Sequence, residues 1–296
     1  MTIPPSSKLD GMRVPCKLIQ NSRFSRLERV YDKRLSNWEE WEIFQVNEAT
    51  TDVLPELTGK ISPDRIRHMR VPRPPRGLIE GFKSMIEAAG DTTGVISDIM
   101  DQLGITGAVG ASVLKPTIPG AAIVGPALTV RNVIQREHVY ETARRHVNRM
   151  AEFEAHNLAL PGDVVVIEGV PSISNMGGIS AQTAKRQGEA GAIVQGGIRD
   201  VSHSRNVSYP IWASEVTPVT GKWRIETVEI NGDIEIAGVR VSPGDIVVAD
   251  ETGVCFVPIG QAREVLELAL KKISHERVKC DAIDAGVSVA DLPTNA

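Results

Sequence analysis

The stretch from Asp163 to Asp200, DVVVIEGVPSISNMGGISAQTAKRQGEAGAIVQGGIRD, constrains the fold more than any other part of this 296-residue chain. VVVI is a continuous apolar run of strand length, as expected of a strand buried on both faces. Gly177-Gly178 opens a helix, ISAQTAKRQ, and Gly188 closes it. AIVQ follows as a second strand. Strand, helix and strand in this order form a βαβ unit with parallel strands and a right-handed crossover. The loops 169–178 and 196–200 then lie at the C-terminal ends of adjacent strands, the edge of an α/β sheet where ligands gather.

The flanking sequence supplies further elements. TTGVISDIMDQLG reads as a capped helix ending at Gly104. AAIVGPALTV reads as a strand pair or a bent strand broken at Gly125-Pro126. Residues 136–158 read as one long amphipathic helix, with Val139, Ala143, Val147 and Met150 at helical spacing on one face. Asn231-Gly232 predicts a hairpin between short strands. A long helix is expected to end the chain near Gly286. Pro-Gly-Asp occurs twice before an Ile/Val run, at 161–163 and 243–245, as two similar lead-ins to strands. Upstream, a short helix is expected after Ser62-Pro63-Asp64. VPRPPRG at 71–77 has the stiffness of a linker and sets the expected boundary between an N-terminal extension, 1–77, and an α/β domain, 78–296. Aromatic residues are sparse, yet Phe24, Tyr31, Trp38, Trp41 and Phe44 cluster in the extension, as in an arm that docks through rings or covers its own core.

Composition excludes several classes. No apolar run has the length of a membrane span, and the first residues lack the apolar core of a signal peptide. Cys16, Cys255 and Cys280 show no CxxC spacing, which points away from structural zinc or a disulfide framework and fits a reducing cytoplasm. With 33 basic and 37 acidic residues, the chain lacks the positive balance of a nucleic-acid binder. HExxH and GxSxG are both absent, which argues against a zinc hydrolase or a nucleophile-elbow esterase.

The chemistry concentrates in the βαβ unit. A helix opening at Gly177-Gly178 carries free N–H groups at Gly178, Ile179 and Ser180, and this terminus favours a carboxylate or phosphate. A plain tight turn is the alternative reading. Arg199 and Asp200 follow the second strand at the same edge. A guanidinium there can hold a carboxylate through two parallel hydrogen bonds, and the neighbouring carboxylate can hold a divalent cation. A surface ion pair is the alternative. His203 reads as a loop histidine or a general base.

Residues of about 85–290 resemble a known family, the group containing regulator of ribonuclease activity A and the class II 4-hydroxy-4-methyl-2-oxoglutarate (4-carboxy-4-hydroxy-2-oxoadipate) aldolases. The resemblance rests on ISDIMDQLG, VGPALTV, PGDVVVIEG, NMGGISAQTAKRQGEAGAIVQGGIRD and VSPGDIVVADETGVCFVP. It implies a β/β/α swivelling-type α/β fold, here with an N-terminal extension, assembled as trimers or hexamers. The aldolases share Gly-Asp, twenty residues, then Arg-Asp. Arg199 and Asp200 match the second half, and the first half falls on Gly177-Gly178, where the Asp is replaced by Gly178. By this resemblance Arg199 binds the substrate carboxylate and acts in catalysis, Asp200 holds Mg²⁺ or Mn²⁺, and Glu276, ten residues before Gly286, approaches the metal of a neighbouring subunit, directly or through water.

The resemblance therefore implies a divalent-metal-dependent lyase, by retro-aldol cleavage or decarboxylation, acting on a small 2-oxo or hydroxy dicarboxylic acid in a catabolic pathway. The missing Asp leaves room for a metal-dependent hydrolase of a lactone or similar ring. A non-catalytic protein that modulates a ribonuclease is the third reading, disfavoured by the retained Arg199, Asp200 and Glu276.

Overall fold

The computed structural model describes residues 54–293, and the aromatic cluster at 24–44 lies outside them. Seven helices are described: α1 (Arg76–Ala89), α2 (Thr93–Gln102), α3 (Val139–Arg144), α4 (Glu152–Leu158), α5 (Gly178–Gln187), α6 (Val201–Asn206) and α7 (Ala262–Asp284). The strands are β1 (Ala108–Gly110), β2 (Lys115–Pro116), β3 (Ile123–Ile134), β4 (Val164–Glu168), β5 (Ser174–Met176), β6 (Gly191–Ile198), β7 (Ile211–Val216), β8 (Ile225–Ile230), β9 (Ile234–Ile236), β10 (Val239–Val241), β11 (Ile246–Ala249) and β12 (Gly253–Val257).

Ten strands form one mixed sheet ordered β1-β12-β11-β3-β4-β6-β7-β2, with β5 added beside β6 and β8 beside β3. The expected βαβ unit is present. β4 and β6 pair in parallel from Val164 opposite Gly191 to Glu168 opposite Gln195, and α5 connects them. Val164 to Ile167 are fully buried, as the apolar run required. Gly188 ends α5 in the left-handed region.

Alternate residues of the strands face different cores: Ile123, Ala127, Val164, Val166 and Ile193 bury against Trp212, Val247 and Phe256. On the opposite face α4 and α5 cover β4, β6 and β7 through Ala155, Leu158, Ala181 and Ala184 against Val165, Ile167, Val194 and Ile211. Elsewhere α1, α2 and α7 bury Phe82, Met85, Ile96, Met100, Val265 and Leu266 against β11 and β12. The N-terminus of α2 is capped from across the fold, where Asp250 accepts hydrogen bonds from the N–H groups of Thr92 and Thr93 and from the Thr93 hydroxyl. Both Pro-Gly-Asp lead-ins adopt the same turn. Asp163 accepts from Leu160 N and Asp245 from Ser242 N, each at 2.8 Å, with Gly162 and Gly244 both at φ 89°. The two turns flank β3 on opposite sides, since Val164 pairs with Ala127 and Ile246 with Pro126.

Four expectations change. β3 is one continuous twelve-residue strand through Gly125-Pro126, with its irregularity at Arg131/Asn132 instead. The long helix of 136–158 is two short ones, separated by residues 145–151, where His146 takes φ 53°. The turn at Asn231 does adopt positive φ, but no hairpin forms there, because β8 is already paired with β3 and β9 pairs with β10. Only a single 3₁₀ turn, Pro63–Arg65, follows Ser62. The stretch from 54 to 75 is tied to the α/β core: Ile61, Ile66 and Val71 are buried in it, and within VPRPPRG Arg73 pairs with the buried Asp163. No helix of the described residues is long and apolar enough to cross a membrane.

Candidate active site

The C-terminal ends of β5 and β6 open onto a cavity of about 100 Å³, lined on one side by Met176 to Ser180, Arg199 and Asp200. The first residues of α4 and the loop carrying Thr220, Gly221 and Lys222 close the other side. The structure thus brings together Gly178, Ile179, Ser180, Arg199 and Asp200, all foreseen from the sequence.

Their arrangement follows from local chain geometry. The first α-helical bond of α5 runs from Ala181 N to Gly177 O, so the preceding N–H groups lie ahead of its hydrogen-bond ladder. That of Gly178 donates to Asp200 Oδ2 at 3.1 Å, which leaves the second Asp200 oxygen for other partners. One anion at this helix terminus is therefore the chain's own Asp200, which takes the Gly178 N–H. Ile179 and Ser180 also line the cavity. Asp200 itself sits at φ 57°, ψ 39°, a left-handed position that Asp tolerates better than most residues, and it leads directly into α6. Arg199 N is fixed to Met176 O at 3.1 Å, and its Nε lies 3.6 Å from Asp200 Oδ2.

The two glycines serve close approach. A Cβ on Gly177 would lie 3.3 Å from Arg199 Nε and from Asp200 Oδ2. One on Gly178 would lie 3.0 Å from the Cβ atoms of both Asp200 and His203. A Cβ at position 178, such as the Asp of the aldolase pattern carries, would therefore require Asp200 and His203 to give by a few tenths of an ångström. His203 packs behind this turn and pairs with Gln182 through Nε2 at 2.9 Å.

Glu152, in the first turn of α4, also lines the cavity, and its buried Oε2 has no hydrogen-bond partner among the described residues. Burial pushes its carboxyl above the usual range, against the opposing pull of its own backbone N–H and the positive side chains nearby. Glu276 lies on α7 beside Lys272, Oε1 to Nζ 3.6 Å, and does not line this chain's own cavity. Among the described residues no group of three or more His, Cys, Asp or Glu side chains gathers as a ready metal cage. Cys255 is buried and its thiol is pushed up to about 12, so it is no nucleophile at neutral pH.

A second set of groups was not visible in the sequence. His156 of α4 contacts Ser180 Oγ through Nε2 at 2.7 Å and Glu189 Oε1 through Nδ1 at 2.8 Å. The Tyr209 hydroxyl donates to Glu189 Oε2 at 2.9 Å. None of these four residues is more than 4% exposed. They are scattered between positions 156 and 209 and share no short spacing. The readable trace was slight: Glu152 and His156, four apart, place two polar groups on a helix expected to bury an apolar stripe.

The RraA-like family, described as Aldolase/RraA, matches residues 93–256. A putative 4-hydroxy-4-methyl-2-oxoglutarate aldolase of Halalkalibacterium halodurans is 32% identical over 197 residues, covering 66% of this chain and 86% of that protein. Protein DlpA of Legionella pneumophila is 30% identical over 187 residues, which span 62% of this chain and only 29% of DlpA. Among solved structures, Streptomyces coelicolor RraAS2, described as an unusual member of the RNase ES inhibitor RraA protein family, superposes with a TM-score of 0.57 at 26% identity, covering 70% of this chain and 96% of that one. By sequence match and fold, the chain belongs to the RraA-like family of aldolases and RraA proteins.

Proposed function

We propose that the protein is a divalent-metal-dependent lyase that breaks a C–C bond in a small 2-oxo or hydroxy dicarboxylic acid, by retro-aldol cleavage or decarboxylation. The observation that carries this reading is the joint placement of Arg199, Asp200 and the α5 terminus around one cavity. Relatives named as aldolases support a lyase over a purely binding role.

The donor set fits a hard cation. Asp200 retains an oxygen not used by Gly178, and Glu152 presents a buried, unpartnered carboxyl oxygen in the same cavity. Two carboxylates, with water filling the remaining positions, suit Mg²⁺ or Mn²⁺. When bound, such an ion would supply Lewis-acid polarisation of the 2-oxo group. Arg199 then clamps the adjacent carboxylate through its planar fork. The N–H groups of Ile179 and Ser180 face negative charge developing on the 2-oxo oxygen, where preorganised donors lower the barrier. A neighbouring subunit's Glu276 completing the site, in a trimer or hexamer, belongs to the same reading.

Pyruvate release from oxaloacetate and from 4-hydroxy-4-methyl-2-oxoglutarate tests it. Activity is expected to vanish with EDTA and return with Mg²⁺ or Mn²⁺. Arg199→Ala should lower kcat/KM by about 10²–10³ at unchanged melting temperature, as for loss of one charge-stabilising donor. Arg199→Lys should recover little, because an ammonium cannot reproduce the fork. Full activity in metal-free protein rules the reading out.

A further inference from the structure

We infer that Ser180, His156 and Glu189 form a proton relay opening onto the cavity, in which Ser180 takes the hydroxyl proton of a 4-hydroxy-2-oxo acid and passes its own to His156. The inference rests on the lyase reading and supplies the general base that Arg199 and Asp200 do not provide.

The hydrogen-bond directions follow from the donor inventory. The Tyr209 hydroxyl gives its proton to Glu189 Oε2 and stays protonated, since burial and the adjacent Glu189 raise its pKa well above the ordinary value. The carboxylate's other oxygen then accepts from His156 Nδ1. This leaves Nε2 as a proton acceptor, 2.7 Å from the Ser180 hydroxyl. Hydroxyl, imidazole and carboxylate stand in the order by which a hydroxyl is activated in acyl-transfer triads. Ser180 is the member that reaches the cavity; the other three lie behind it. It also occupies the first turn of α5. The charged groups acting on His156 are Glu189 through Nδ1 and Glu152 one helical turn earlier on α4, while the Phe153 ring meets the imidazole edge-on.

The step balances without any co-reactant. The substrate's C4 hydroxyl proton moves to Ser180 Oγ as the Ser180 proton moves to Nε2, giving an imidazolium paired with Glu189. The C3–C4 bond breaks, its electrons form the enolate of the 2-oxo acid, and C4 becomes the carbonyl carbon of the second product. The proton then returns from His156 through Ser180 to C3. Ser180 is thereby the catalytic residue, and His156 and Glu189 act through it.

Two substrates separate this role from a structural one. Retro-aldol cleavage of 4-hydroxy-4-methyl-2-oxoglutarate requires a base, whereas decarboxylation of oxaloacetate forms its enolate with no proton removed. Ser180→Ala and His156→Gln are expected to lower kcat for the retro-aldol reaction by about 10²–10⁴, the usual range for a lost general base, with KM little changed. In His156→Gln, whose side chain lies behind the cavity lining, oxaloacetate decarboxylation should stay within a few-fold of wild type. Ser180→Thr keeps a hydroxyl and should recover much of the loss, and its melting temperature checks that the helix pair is intact. Equal loss on both substrates, or none on either, overturns the relay. So does labelling of Ser180 by a fluorophosphonate, which would make it a nucleophile. Wild-type protein inactive on both substrates overturns the lyase reading first, before any variant is made, and the relay falls with it.

Discussion

Asp163 shows what one buried acid does to the pH dependence of the fold. It starts β4 with Leu160 N and Arg73 as partners, and burial pushes its carboxyl up from 3.8 to about 6 despite the attraction of Arg73. Between these values the folded chain keeps a proton that the unfolded chain has released. Stability is therefore greatest below pH 3.8 for this group, falls as pH rises through the window, and levels off above 6. The loss amounts to roughly 3 kcal/mol, at 1.36 kcal/mol per unit. Urea unfolding of wild type and Asp163→Asn at pH 4.5, 5.5 and 7.5 should show this slope in wild type and a flatter line in the variant, whose Arg73 can turn to solvent. A parallel pair of curves would show that Asp163 ionises freely in the fold. Such a partner was invisible in the sequence, where VPRPPRG read as a linker and gave no sign that Arg73 meets a residue ninety positions away. Arg199 and Asp200 were legible for the opposite reason: both sit at the end of a readable strand, and their role depends on adjacency.

Elements separate in the same way. The β4–α5–β6 unit was readable because every step in it is local: an apolar run, paired glycines, a closing glycine. The stretch 136–158 misled because helical spacing at Val139, Ala143, Val147 and Met150 says nothing of a break at His146, and that break frees α4 to turn Glu152 and His156 toward the cavity and α5. β8 misled because an Asn-Gly turn was present while the pairing it normally joins had gone to β3. The docking of residues 54–60 is another non-local feature. Buried Glu154 of α4 accepts from the Thr58 N–H at 2.8 Å and from its hydroxyl at 2.6 Å. Thr58→Val removes one of these bonds and leaves a buried carboxylate under-satisfied, a cost of about 1–3 kcal/mol. Limited proteolysis should then cut near residues 54–60 much faster than in wild type while the βαβ unit stays resistant. Unchanged cleavage would mean that Ile61 and its neighbours hold the segment unaided.

Among the described residues part of α7 is left uncovered. Its last buried residue is Ile273; beyond it Val278 and Ile283 are more than half exposed on the half that carries Glu276. If this half is the face that the proposed trimer or hexamer buries, Val278→Glu combined with Ile283→Glu should shift sedimentation toward monomer and lower activity. Glu276→Gln should lower activity in an intact trimer. A wild-type monomer with full activity removes both expectations. Within one chain, β3 runs through everything. Its first half pairs with β11, which carries the α1, α2 and α7 layer, and its second half pairs with β8, while β4 lies alongside. Neither layer can come apart without tearing a strand from the other. Opening should accordingly be a single cooperative event, and an occupant of the cavity would guard amides it never approaches. Saturating oxalate should slow hydrogen exchange at Val247 in β11 and Val254 in β12 by the same factor as at Ile193 in β6, because all three are released by one and the same rupture.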